Sequence, residues 1–158
     1  MSWFRQIRNK IKWAYQRVTR GWCDKDLWNL DCWFMDTVVP MLKAFKENQN
    51  GHPGWMTAER WDYILSEMIT HFENYDESNP INHNDKWEKY FEIMTKDYEN
   101  KDDLSKFLAM VNTNECTEEQ KKAKVAWLIK ENTIKNFRER EKKQAFELLC
   151  EYFEYLWD

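Results

Sequence analysis

At 158 residues the chain is long enough to bury one core and too short to make two ordinary domains comfortable. Three glycines and three prolines, beside 42 % hydrophobic and 33 % charged residues, are too few for the turns of an all-β fold, so the expectation is a single all-α domain, 1–158, of about six helices. Net charge is −4, yet residues 1–21 hold six Lys or Arg and no acid, leaving 18 bases against 28 acids in the rest; this basic arm on an acidic body argues against long nucleic acid as a partner.

The first predicted element runs from about Trp3 to Thr19, with Phe4, Ile7, Ile11, Ala14, Tyr15 and Val18 on one stripe and Arg8, Lys10, Lys12 and Arg17 largely outside it. Gly21 is its natural stop, and Asp24 or Asp26 is the expected cap of a second helix through Leu27, Leu30, Phe34, Val38, Met41 and Phe45. Pro40 should bend that helix, since it lacks the amide that would bond the carbonyl of Asp36. The segment Asn48 to Met56, with the Gly and Pro cluster at 51–54, reads as a turn.

Thr57 is the expected N-cap of a third helix whose Trp61, Ile64, Leu65, Met68, Ile69 and Phe72 follow the spacing of a helix laid on a core. A polar loop from Tyr75 to Asn84 precedes a fourth helix through Trp87, Tyr90, Phe91 and Met94, with Asp85 and Glu88 resembling a capping box. A short helix is expected near Leu104 to Val111. Thr117 and Gln120 form another capping box and open a long helical stretch to Trp157, with a break expected near Glu139 to Lys143. Trp127, Ile134, Leu148 and Tyr155 recur at multiples of seven, and Glu141 at the intervening core position argues against an extended coiled coil.

Cys23, Cys32, Cys116 and Cys150 lack metal-ligand or redox spacing and are expected as reduced thiols. Without a signal peptide or an apolar run of about 18 residues, the expected location is the cytoplasm and no membrane partner is expected.

Chemistry is sparsely marked. Glu67 and His71 lie one helical turn apart, and His52 and His83 flank them in loops, but neither the paired Glu-x-x-His of a di-iron bundle nor H-E-x-x-H of a zinc protease occurs. No G-x-S-x-G, Gly-rich phosphate loop or dinucleotide fingerprint is present, and no cofactor is implied. Asp24 and Asp31 read as acids of a solvated helix face.

The stronger signal is aromatic residues beside bases, because a flat base stacks on Trp while Arg and Lys take its phosphates. Between Arg20 and Phe72 fall five of the ten tryptophans, and the arm adds Trp3, Arg5, Arg8, Lys12, Trp13 and Arg17. The competing reading packs these tryptophans inward and leaves the bases to solvate the outer face. A third sends the arm to a membrane surface.

The run RGW-x-D-x-DLW-x-LD from Arg20 to Asp31, the proline at 40, the turn GHPG at 51–54 and MTAERWDYILSEMI from Met56 to Ile69 resemble small proteins of tailed bacteriophages. That resemblance covers about a third of the chain and carries no role onto any residue. It implies a small accessory protein acting in an infected bacterium, often against host defence.

In that setting the expected function is a non-enzymatic binder that sequesters a nucleotide-type anion. Arg20 and Lys25 would hold phosphates, Trp22, Trp28 or Trp55 would stack, and His52 and Arg60 complete the rim. The alternatives are a protein-interaction inhibitor that masks a host protein through an aromatic and acidic surface, and a metal-dependent hydrolase built on Glu67, His71 and the acids. A homodimer is expected.

Overall fold

A computed structural model describes residues 3–96 and 117–157. The described residues are all-α: α1 (Trp3–Arg20), α2 (Leu30–Asn48), α3 (Ala58–Tyr75), α4 (Trp87–Thr95) and α5 (Glu118–Tyr152), with short 3₁₀ turns at Pro80–Asn82 and Phe153–Tyr155. Five α-helices thus stand where about six were expected, and the expected helix near Leu104 to Val111 lies outside the described residues. The chain groups into two compact units, Met1–Ile69 with Tyr152–Asp158, and Thr70–Glu151. Their boundary falls inside α3 and α5 rather than in a linker.

In the first unit, α1 ends where predicted. Gly21, at φ +80°, sends its amide back to the Arg17 carbonyl at 3.0 Å, the left-handed helix stop that only glycine adopts without strain. Neither Asp24 nor Asp26 caps α2, which starts later, at Leu30, after a run of turns, with Asn29 in the cap position and no side-chain cap bond. Both aspartates are committed to α1 instead, so Asp24 and Asp31 do not share a helix face. Pro40 sits on the exposed side of α2, which continues through it as one helix to Asn48.

Thr57 caps α3 as expected, its hydroxyl accepting the Arg60 amide at 3.3 Å. Of the α3 stripe in this unit, Trp61, Ile64, Leu65, Met68 and Ile69 are all buried, together with Val39 and Leu42 of α2. Tyr152 closes the unit against Trp61, ring centroids 5.8 Å apart.

In the second unit, Phe72 continues that stripe and meets Phe146 of α5 edge-on at 5.3 Å. The capping box predicted from Asp85 and Glu88 does not form. Lys86 stands in the cap position with no side-chain cap bond, Asn84 accepts the Lys86 amide at 3.1 Å in the preceding turn, Asp85 pairs with Lys86, and Glu88 lies 3.3 Å from His83. The Thr117 box does form, with Thr117 N–H donating to Gln120 at 2.9 Å and Gln120 N–H to Thr117 at 3.2 Å.

The break expected near Glu139 to Lys143 is absent, and α5 runs unbroken over 35 residues. Its charged run is tolerated because most of those side chains are solvated and pair locally, Lys142 with Glu139 at 2.6 Å, and because the buried member, Glu141, finds polar partners.

Candidate functional site

The apolar stripe that the sequence assigns to α1 is there, and it is not in the core. No residue of α1 is buried, and Trp3, Phe4, Ile7, Ile11, Tyr15 and Val18 are all exposed, Ile11 at 66 %. What α1 lays on the rest of its unit is its polar side. Lys12 reaches Asp24 at 2.7 Å, Gln16 donates to Asp24 at 2.8 Å and accepts the Asp24 amide at 3.0 Å, and Arg20 pairs with the same carboxylate. Arg17 grips Asp26 with two nitrogens, at 2.6 and 3.3 Å, a fork-to-carboxylate geometry.

These bonds leave their mark on the acids. Lys12 first, then Gln16 and Arg20, hold the Asp24 carboxyl well below the usual carboxylate range. Arg17 first, with the Cys23 amide and against the cost of burial, holds Asp26 down to about 2. Asp26 raises the Arg17 guanidinium in turn. At neutral pH both acids are therefore charged, and the clasp between α1 and the Cys23–Asp26 turn is closed.

The residues expected to form a nucleotide rim are dispersed. Arg20 stacks over Trp22 at 3.8 Å and donates to the Trp22 carbonyl at 3.1 Å, so its guanidinium is engaged on both face and edge. Lys25 lies 5.8 Å over Trp13. Lys25 and Trp28 line a cleft of ≈ 680 Å³ with Arg17, Asp26, Trp33 and Asp36, in which the two cations are matched by two carboxylates. Trp28 is 88 % exposed.

Trp55 lies elsewhere in the unit, stacked on Tyr152 at 6.4 Å and edge-on to Tyr155 at 5.8 Å. His52 Nδ1 is 3.1 Å from its neighbour's carbonyl, and Arg60 covers Tyr63 at 5.3 Å. Among the described residues no hydrogen bond, ion pair or ring contact joins His52, Trp55 or Arg60 to Arg20, Trp22, Lys25 or Trp28.

The histidines do not converge either. His71 faces Glu141, His83 faces Glu88 and His52 faces Pro53. No group of three or more His, Cys, Asp or Glu that could hold a metal occurs among the described residues. Cys23 and Cys150 are thiols, the first buried and the second exposed, and Cys116 lies outside the described residues.

Two features of the second unit go beyond the sequence reading. One is the buried Glu141, 4 % exposed, which accepts from Asn74 at 3.0 Å and faces His71 at 2.8 Å and Arg140 at 3.0 Å. Burial pushes its carboxyl up, and the bonds from Asn74, His71 and Arg140 outweigh that and hold it below the usual value. Its place in the seven-residue pattern was the available signal.

The other is an aromatic cluster in which Tyr90 stacks on Trp127 at 4.9 Å and 5° while Trp87 tilts against Trp127 at 5.6 Å. It borders a shallow cleft of ≈ 680 Å³ whose other walls include Asn82, Asn84, Glu77 and Glu131.

No protein family, curated protein or solved structure matches the chain. No helix among the described residues is long and apolar enough to cross a membrane.

Proposed function

We propose that the protein acts by attachment and not by catalysis, with α1 as its docking helix. One observation carries the reading: α1 is clasped to its own unit by its polar side, so its whole apolar stripe is presented outward. An apolar face pinned in that direction is a standing cost in water that a bound surface removes. The nucleotide-capture reading asks Arg20 and Lys25 to be available to phosphates. Arg20 is already engaged by Asp24 and Trp22, and the cleft beside Lys25 carries as many carboxylates as cations, which supports attachment over anion capture. The bacteriophage resemblance would set this attachment inside an infected bacterium.

The test is site-specific photo-crosslinking in bacterial cells. A photoreactive residue at position 11 or 18, on the outward stripe, should form adducts, and one at position 9, on the half-buried opposite side, should not. Equal labelling from all three positions, or no adduct from the stripe, would refute the docking role.

A further inference from the structure

The surface that α1 fits can be named from the arrangement of charge around the stripe, and the argument rests on α1 being the docking helix. At about 100° per residue the apolar side chains from Trp3 to Val18 fall within an arc of about 120°. Arg8 borders one edge of that arc and Lys10 the other, each about 20° beyond the last apolar side chain. Gln16 and Arg20, which hold Asp24, lie on the opposite side, and Arg17, which holds Asp26, lies about 40° beyond the apolar arc.

The six bases of residues 1–21 therefore divide by position. Lys12, Arg17 and Arg20 are committed to the clasp. Arg5, Arg8 and Lys10 are exposed, and among the described residues none of them pairs with a carboxylate. No acid lies anywhere in α1.

We propose that α1 lies flat on an anionic lipid surface, with its stripe in the headgroup boundary and Arg8 and Lys10 on the flanking phosphates. Three properties select lipid over another occupant. First, the helix is polar on average yet sharply two-sided, with the aromatics Trp3 and Phe4 in its first turn, which is the composition of interfacial helices. Second, an α1-to-α1 pairing of two copies would set basic rims against each other with no acid between them, so a symmetric dimer through this face is opposed by charge. Third, the acids that α1 meets in its own unit, Asp24 and Asp26, are already paired with Lys12, Arg17 and Arg20 and do not neutralise Arg8 or Lys10. The clasp also prevents the helix from rolling its stripe inward, so the docking face exists before the membrane is met and little ordering is needed on binding.

The experiment is co-sedimentation of the full chain with vesicles of phosphatidylcholine alone and of phosphatidylcholine mixed with phosphatidylglycerol. Binding to the mixed vesicles only, weakened by added salt, is the expected result. Each flanking cation should contribute about fivefold in affinity, so the Arg8→Glu, Lys10→Glu variant should bind at least about 25-fold more weakly, and Ile11→Glu should not bind at all. All three positions are exposed, and an unchanged circular-dichroism spectrum checks that each variant is folded.

No binding to either vesicle, or equal binding to both, overturns the lipid assignment. If position 11 nevertheless crosslinks in cells to a protein, or the chain self-associates and Ile11→Glu abolishes that, the docking role of α1 survives and its occupant is a partner protein or a second copy. If position 11 yields no adduct as well, both readings fall together.

Discussion

His71 on α3 and Glu141 on α5, seventy positions apart in sequence, meet at 2.8 Å in a place where Glu141 is 4 % exposed. A charged carboxylate only accepts, so the Nδ1 of His71 carries the proton between them, and the Asn74 amide donates to the same oxygen. Removing the charge leaves buried donors without their acceptor. Glu141→Leu should therefore lower unfolding stability by about 1–3 kcal/mol at neutral pH, read from urea denaturation. Because the folded carboxyl titrates below its ordinary value near 4.5, this contribution is fully present above that value and fades as pH falls through the lower folded one. The gap between parent and variant should accordingly shrink below about pH 4.5. A variant as stable as the parent at pH 7 would show that the network contributes nothing net.

Arg17 and Asp26 define a second acid-sensitive contact. Asp26 accepts the Cys23 amide at 2.8 Å as well as the guanidinium, and its carboxyl is held to about 2. A depressed carboxyl stabilises above its unfolded value, near 4, and loses that effect only as pH falls toward 2. The Cys23 amide should stay protected from hydrogen exchange at pH 4, lose protection between pH 4 and 2, and be unprotected at all pH values in Asp26→Asn if the Asp26 charge holds the clasp. Protection that survives in the variant would show that a neutral acceptor at position 26 suffices and that the charge of Asp26 does not hold the turn.

Gly21 joins the clasp to α1 and is the position where backbone conformation decides the outcome. An added Cβ would meet nothing within 4 Å, so only the left-handed backbone at φ +80° opposes a side chain. Gly21→Ala should cost about 1–2 kcal/mol by thermal unfolding, with Gly21→Asn costing less because its side chain tolerates that region. Equal costs for the two would mean that the turn relaxes to another conformation.

The contrast between α1 and α3 marks what sequence periodicity conveys. Both stripes repeat at three- and four-residue steps, and both helices form. Trp61, Ile64, Leu65, Met68, Ile69 and Phe72 are all buried, whereas the α1 stripe is wholly exposed. Periodicity places apolar side chains on one face and says nothing about what covers that face. The deciding residues for α1 were Asp24 and Asp26. As sequence they are good helix caps, and in three dimensions three ion pairs, to Lys12, Arg17 and Arg20, outcompete capping and turn the polar side of α1 inward.

Local signals fared better where both partners were close in sequence. Thr117 with Gln120, Thr57 and Gly21 were all legible. The turn before α4 is held instead by Asn84, which accepts the Lys86 amide and donates to Glu131 at 2.8 Å, a partner 47 positions away that no local pattern encodes. Glu141 was visible as an acid at a core position, but its satisfaction by His71 and Asn74 depends on how α3 and α5 meet within their unit.

A paired truncation separates the packed stripe from the outward one. Leu65 is 0 % exposed and Ile11 is 66 % exposed, although the sequence gives both the same apolar role on a helix face. Leu65→Ala removes buried methyl groups and leaves a cavity, at a cost of about 2–5 kcal/mol. Ile11→Ala deletes side chain already in water, and the better helix propensity of alanine keeps its effect within about 0.5 kcal/mol of zero. Chemical denaturation of the two variants beside the parent decides the point. If Ile11→Ala costs as much as a core truncation, the α1 stripe is buried in the solution state and the docking surface does not exist. If it is neutral, any loss of attachment in that variant comes from the bound surface and not from the fold.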